Sequence, residues 1–302
     1  MNFEIAEVVI SSWVPLLWGV LVGFVFSTVG AAGGILASVG LISVIGVQNP
    51  NLVKPMAQML TLITPIVAVP LYYKQCRVVF SLAFILGAGG IFGAVIGSTL
   101  SLNFLADMSI FKPVFAVLVL LIAFQIGWQI FRGKQKNSAQ SDRASTNFEH
   151  LIEHDGNPCS IGVKHTLYSF RKINFTFASE TFSFNPLLPF FTGMGIAVFS
   201  SALGVGGGFL LVPFMSIIMR LPMFIVAATS ALAIAVHSIT SITNYMRLGV
   251  ELDFPLLGLL LAGTAIGAFA GPYLSKFLHE IWLRGILCLV LIIIGLRYLS
   301  VF

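Results

Sequence analysis

The sequence predicts an all-α integral membrane protein made of two inverted-topology repeats of about five membrane segments each. Three observations lead to this fold class: the composition, the spacing of the charged residues and an internal duplication. Apolar residues make up 58% of the 302-residue chain and charged residues only 9%, whereas a soluble domain carries about 25% charged residues. The mean hydropathy is +1.00. Charged side chains are too few to cover a water-exposed surface, so the expected surroundings are lipid.

Charged residues divide the chain into uncharged runs of membrane-spanning length. A membrane helix needs about 20 apolar residues, and most of the runs hold one such helix. Two runs, 8–53 and 181–219, are long enough for two segments each, and glycines interrupt both of them. Each long run is either a pair of spans or a glycine-broken, re-entrant hairpin. The sequence therefore predicts eight to ten membrane segments.

The two halves of the chain resemble each other. A shift of 174 residues places seven glycines of the first half on glycines of the second half. The pairs are Gly19 and Gly193, Gly30 and Gly204, Gly33 and Gly207, Gly34 and Gly208, Gly89 and Gly263, Gly93 and Gly267, and Gly97 and Gly271. Such duplications are common in transporters. We expect two membrane repeats, 1–131 and 185–302, joined by a polar segment, 132–184.

The distribution of lysine and arginine predicts the orientation. If each long run crosses twice or dips and returns, twelve of the sixteen basic residues share the side of segment 132–184. Cytoplasmic loops carry the excess of basic residues, so this segment should face the cytoplasm, with both termini outside. Each half then crosses an odd number of times, which makes the repeats inverted. The expected location is the inner (plasma) membrane.

The glycine clusters are the first candidate site. Glycine at this density does not sustain a lipid-facing helix, but it lets backbone N–H groups turn into a cavity. A half-helix that begins there would direct unpaired donors toward an anion. The alternative is close helix packing through small residues, which we expect for Gly89, Gly93 and Gly97. The candidate anion-binding glycines are Gly30, Gly33, Gly34, Gly204, Gly206, Gly207 and Gly208.

A polar stripe is the second candidate. Hydroxyl and amide side chains within a membrane either line a wet path or bond neighbouring helices. In the second half the candidates are Thr229, Ser230, His237, Ser241 and Asn244. In the first half they are Gln58 and Thr61, in a helix that we expect Pro65 and Pro70 to break. His237 could carry a coupling proton or be a neutral hydrogen-bonding group.

Segment 132–184 contains histidines and one of the three cysteines. His150, His154, Cys159 and His165 match no closed zinc pattern, so no metal site is expected. Alternating apolar residues predict short strands in this segment. Cys76, Cys159 and Cys288 show no pairing pattern, and reduced thiols are expected.

Several classes of function find no support in the sequence. It contains no catalytic constellation, and the glycine cluster lacks the Lys-Ser/Thr of a nucleotide-binding loop. The basic residues punctuate apolar runs rather than cluster, so no nucleic-acid binding is expected. We expect no cofactor, and the sequence leaves the oligomeric state open.

The second glycine cluster resembles a known motif. Residues 201–213, Ser-Ala-Leu-Gly-Val-Gly-Gly-Gly-Phe-Leu-Leu-Val-Pro, resemble the repeat hallmark of the TauE/SafE sulfite exporter family, also called TSUP, and Ala-Ala-Thr-Ser at 227–230 is similar to the stretch that follows it. The resemblance covers both halves, although the first copy is reduced to Gly-Ala-Ala-Gly-Gly at 30–34.

The resemblance implies transport of small sulfur-containing anions, such as sulfite or sulfoacetate, out of a prokaryotic cytoplasm. The partners would then be a small anion, the lipid bilayer and a coupling proton. The alternatives are another small anion such as thiosulfate or a carboxylate, a passive channel, and a membrane-embedded enzyme.

Overall fold

The computed structural model describes residues 1–29, 33–132, 139–155, 159, 162–168, 172–274 and 280–300. The first half contains a short hairpin, β1 (Asn2–Phe3) and β2 (Val8–Val9), and the helices α1 (Trp13–Val29), α2 (Gly33–Val39), α3 (Pro50–Lys74), α4 (Phe80–Phe104) and α5 (Met108–Arg132). The central segment contains α6 (Ala139–Asp155), β3 (Lys164–Tyr168), β4 (Ile173–Phe177) and β5 (Glu180–Phe184). The second half contains α7 (Leu187–Leu203), α8 (Gly208–Pro213), α9 (Met223–Arg247), α10 (Phe254–Leu274) and α11 (Glu280–Ser300).

The described helices are those of a membrane protein. Helices α3, α4, α5 and α9 contain stretches that are long and apolar enough to cross a membrane, and six shorter apolar helices accompany them. Large apolar side chains such as Phe84, Phe92 and Phe199 lie exposed on the outer surface. An exposed apolar surface of this extent is stable against lipid rather than water.

Each half begins with a broken helix pair. Both pairs break at the predicted glycine clusters, and in both the second helix continues as a π-helix, Gly40–Ile45 after α2 and Phe214–Ile218 after α8. The two π-helices begin 174 residues apart, the same spacing as the glycine duplication. Gly46, directly after the first π-helix, and Arg220, two residues after the second, both have positive φ angles.

Glycines allow the helices of opposite halves to pack closely. A β-carbon on Gly89, Gly93 or Gly97 of α4 would collide with the backbone of α7, at Phe190, Met194 and Val198 respectively. The contacts advance in the same direction along both helices, so α4 and α7 run parallel. Helix α1 packs along α10 in the same way. The interpretation of these α4 glycines as packing residues is confirmed.

The prediction that prolines break the third helix is wrong. Helix α3 continues through Pro55, Pro65 and Pro70 to Lys74. Each proline removes one backbone hydrogen bond, but a helix packed among other helices tolerates this loss because neighbouring groups bond the freed carbonyls.

The central segment forms a small α/β unit. Its strands pair antiparallel in the order β3-β4-β5, which confirms the predicted strands. Phe148 of α6 packs on Phe177 of β4 and on Phe224 of α9, with ring centroids 4.8 and 5.1 Å apart. The Arg77 guanidinium lies over the Phe224 ring at 4.6 Å, and burial lowers its pKa. These contacts fix the unit on the membrane helices.

A disulfide strengthens this attachment. Cys76, between α3 and α4, is bonded to Cys159 across 83 residues of sequence. The Cα atoms are 5.1 Å apart, inside the range of about 4.4–6.8 Å that a disulfide requires. The expectation of reduced thiols is therefore wrong for this pair, because the fold brings together two residues whose spacing gives no signal. Cys288 is a free cysteine.

We predict that Gly93→Val destabilises the helix bundle. The valine side chain would separate α4 from α7, and overpacking of this kind costs about 1–3 kcal/mol. The purified protein in detergent should unfold at a lower temperature than the wild type. Gly258→Val is the matched control, because Gly258 is also helical and nothing lies within 4 Å of the position of its β-carbon. Equal unfolding temperatures for the two variants would contradict the prediction.

Candidate functional site

Helix α7 ends inside the protein rather than at its surface. The last carbonyl groups of a helix have no partner within the helix, and in the membrane interior they must find one elsewhere. Side chains from four other helices donate hydrogen bonds to carbonyls at this helix end and at the Gly204 cap, and Ser200 O also accepts from Gly204 N. Gln58 Nε2 donates to Ser200 O (3.2 Å), Tyr245 Oη to Ser201 O (2.8 Å), Ser101 Oγ to Ala202 O (2.8 Å) and Ser38 Oγ to Gly204 O (3.4 Å).

The turn that follows α7 requires glycine. Gly204, Gly206 and Gly207 have φ angles of +75°, +82° and +68°, which L side chains rarely adopt. Space is also lacking, since a β-carbon on Gly206 would lie 2.8 Å from Thr61 Oγ1 and one on Gly207 would lie 2.9 Å from His237 Cε1. The turn therefore brings bare backbone against side chains of α3 and α9.

The turn leaves two backbone donors open. Gly204 N donates to Ser200 O and Gly208 N to Gly206 O. Within the part of the chain that the structure describes, the N–H groups of Gly206 and Gly207 form no hydrogen bond. Successive N–H groups in a turn of left-handed residues form a concave donor surface of the kind that binds anions.

Buried polar side chains without partners lie beside this turn. A β-carbon on Gly207 would lie 3.1 Å from both His237 Nε2 and Ser200 Oγ. The backbone of Gly206 approaches the His237 ring, yet Nε2 makes no hydrogen bond of normal geometry. Gln58 Oε1 and Ser241 Oγ are also buried and unbonded. Unsatisfied buried groups are rare in native proteins, and a bound water, ion or other molecule is one of their explanations.

The structure brings most of the predicted glycines of the turn after α7 into contact with predicted polar residues of α3 and α9. Gln58, Thr61, His237 and the turn glycines form one site, and Ser241 lies one helical turn from His237. Gly34 also reaches it, because a β-carbon there would collide with the Val205 carbonyl and lie 2.8 Å from Thr61 Cγ2. Thus the two glycine breaks meet.

The other predicted residues have different surroundings. Thr229 Oγ1 accepts a hydrogen bond from Val79 N (3.1 Å), and Ser230 Oγ donates to Ala227 O within its own helix (3.4 Å). Asn244 donates to Ser98 and Thr99 of α4. Gly33 packs against Phe26, Gly208 begins α8, and Gly30 lies outside the described residues.

Sequence reasoning missed the residues that support the turn. Ser38, Ser101, Ser200 and Tyr245 are buried and polar, and three of them bond the α7 carbonyls. Ser200 carried a usable signal, since it lies one helical turn before Gly204. The others are isolated polar residues in apolar helices, and no local pattern indicates their partner.

The surroundings of the turn are polar and mainly neutral. The nearest lysine in α3, Lys54, is fully buried and packs its backbone against Gly204, and its Nζ donates to Leu105 O (2.7 Å) and Asn51 Oδ1 (3.1 Å). Among the described residues, no group of three His, Cys, Asp or Glu side chains is placed to hold a metal ion. The arrangement offers hydrogen bonds to a small polar molecule.

This fold and site define a multi-pass α-helical membrane protein with a polar break at its centre. The model of the family described as sulfite exporter TauE/SafE matches residues 15–298, nearly the whole chain. The protein therefore belongs to the TauE/SafE sulfite exporter family, a family of membrane transporters, as the glycine motif predicts. No curated protein and no solved structure gives a match.

We predict that Tyr245→Phe lowers the stability of the protein. The substitution removes the hydroxyl that bonds Ser201 O in the interior, and an unsatisfied buried group costs about 1–3 kcal/mol. Thermal unfolding in detergent measures the effect. Tyr73→Phe is the control, because Tyr73 is largely exposed. If both variants unfold at the same temperature as the wild type, the hydroxyl does not support the helix end.

Proposed function

We propose that the protein exports small sulfur-containing anions, such as sulfite or organosulfonates, across the inner (plasma) membrane. The observation that carries the proposal is the pair of N–H groups at Gly206 and Gly207, which lie in the protein interior and form no hydrogen bond with any described residue. Membership of a sulfite exporter family supports the substrate class. The proposed coupling ion is the proton.

The composition of the site favours an anion over a cation. Its open groups include the two backbone donors, and the Thr61 side chain approaches the same turn. The one lysine near the turn, Lys54, bonds only neutral partners in the contacts described above. Cation carriers place carboxylates in the membrane interior, and the uncharged runs that form these helices contain none.

The proposed transport mechanism uses two inverted repeats, 1–131 and 185–302. Support comes from the matching pairs of parallel helices, α1 with α10 and α4 with α7, and from the equal spacing of the two π-helices. The broken pair α1–α2 and the broken pair α7–α8 act as re-entrant hairpins that approach the site from opposite faces. Rocking of one repeat against the other would then open the site to each side in turn.

The proposed orientation places the central segment in the cytoplasm. Support comes from the twelve basic residues on that face. The Cys76–Cys159 disulfide lies on the same face, and disulfides in the cytosol are usually transient and redox-responsive. In this orientation the Cys76–Cys159 bond is a cytoplasmic disulfide of this redox-responsive kind.

We predict that Gly207→Ala reduces transport at least tenfold. A β-carbon at this position would enter the site between His237 and Ser200. The control is Gly249→Ala, where φ is +87° and nothing lies within 4 Å, so it carries similar backbone strain of about 1 kcal/mol outside the site. Sulfite uptake into proteoliposomes, driven by a proton gradient, measures both variants. Full uphill transport by Gly207→Ala would contradict the site assignment. If the wild-type protein moves sulfite only down its concentration gradient, the protein is a channel.

We predict opposite labelling of the two faces of the membrane. Thr146 of α6 and Glu251, between α9 and α10, are both exposed. In a Cys288→Ser background, an impermeant maleimide should label Glu251→Cys in intact cells and Thr146→Cys only after permeabilisation. The parent protein without either cysteine is the blank. The reverse pattern would place the central segment and its disulfide in an oxidising compartment.

A further inference from the structure

The Gln58 side chain presents a fixed hydrogen-bond acceptor to the site. Its Nε2 donates to Ser200 O at 3.2 Å. This bond fixes the orientation of the amide, because the nitrogen must face the Ser200 carbonyl. The other end, Oε1, is buried and has no partner. An amide oxygen accepts hydrogen bonds and cannot donate them. This part of the site therefore requires a donor.

The donors and the acceptor belong to one small site. Gln58 is bonded to Ser200, and the Ser200 hydroxyl adjoins Gly207, whose N–H is open. Among the described residues, the titratable groups near the turn are His237 and Tyr245 on α9 and Lys54 on α3. His237 Nε2 is also unbonded, whereas Lys54 directs its ammonium to Leu105 and Asn51. A bound molecule that satisfies all of these groups accepts hydrogen bonds from the backbone and donates one to Gln58.

Anions differ in whether they can both accept hydrogen bonds from the backbone and donate one to Gln58. A sulfonate, sulfate or fully ionised sulfite has only acceptor oxygens, so it leaves Gln58 Oε1 unsatisfied and places negative charge against it, which is unfavourable in a buried site. An oxyanion that keeps one proton has a donor as well. We propose that this site selects singly protonated oxyanions, so that among the proposed substrates it favours hydrogen sulfite over organosulfonates, and that Gln58 Oε1 accepts a hydrogen bond from the protonated group of the anion.

This inference rests on the proposed function and explains how proton coupling works without a membrane carboxylate. The proton leaves the cytoplasm on the substrate, hydrogen-bonded to Gln58, and no side chain gains or loses it. Export of hydrogen sulfite then moves one net negative charge outward, which the membrane potential favours and the inward proton gradient opposes. Binding of the anion and uptake of the proton are then one event. His237 contributes polar surface to the site.

Calorimetry of the purified protein tests the proposal through the proton count. At mildly alkaline pH free sulfite is mostly the dianion, so binding of hydrogen sulfite takes up about one proton per anion by linkage. Binding heats in two buffers of different ionisation enthalpy give that number. Methanesulfonate, which carries no proton, should bind at least tenfold more weakly and without proton uptake. Sulfite binding with no proton uptake, or equal uptake with methanesulfonate, would overturn the proposal.

Two variants identify the group involved. Gln58→Met keeps the side-chain length and removes the acceptor, so the preference for sulfite over methanesulfonate should fall about tenfold. His237→Gln cannot gain a proton, and its sulfite binding should still take up one. Loss of uptake in His237→Gln would assign the proton to the histidine and refute the inference. If Gln58→Met does not fold, the wild-type proton count together with the count in His237→Gln decides. Failure of the wild type to bind either anion would instead refute the proposed function and with it this inference.

Discussion

The structure depends on hydrogen bonding to a helix end that lies inside the membrane protein. The final carbonyls of α7 stop short of the surface, where water would have bonded them, and lipid offers no substitute. Side chains from α2, α3, α4 and α9 bond these groups instead. Because each of these bonds links a different helix to the same point, the helix end fixes the relative positions of both halves of the chain.

The carbonyl groups and the N–H groups at the turn after α7 differ in their hydrogen bonding. On the carbonyl side the protein supplies its own donors, so those groups are satisfied without a ligand. On the N–H side the turn leaves Gly206 and Gly207 open, and Gln58 and His237 have unbonded polar atoms beside them. A protein that needed the turn only for packing would gain stability by bonding these groups as well. The incomplete half is therefore the half that we assign to the substrate.

The sequence predicted the parts of this arrangement that have a local physical signal. Glycine clusters marked both helix breaks because dense glycine cannot sustain a helix in lipid, and apolar length marked the spanning helices. Gln58, Thr61 and His237 stood out because polar groups are rare in such segments, and all three lie at the turn. Thr229 and Asn244 carried the same signal but bond neighbouring backbone or helices, since a polar residue in a helix has the same pattern in either role.

Other features depend on contacts between distant parts of the chain. The Cys76–Cys159 bond joins residues 83 positions apart, and Tyr245 bonds a carbonyl of another helix. Neither relation follows from spacing along the sequence. The continuity of α3 through three prolines is also a tertiary effect, because the surrounding helices stabilise a conformation that proline disfavours in isolation.

Anomalous diffraction from crystals soaked in selenite tests the central claim most directly. Selenite resembles sulfite in shape and charge, and selenium scatters anomalously, so its position is measured independently of the protein density. The account predicts a selenium peak beside the turn, with its oxygens about 3 Å from the N–H groups of Gly206 and Gly207. Selenium bound only elsewhere, with this turn unchanged, would contradict it.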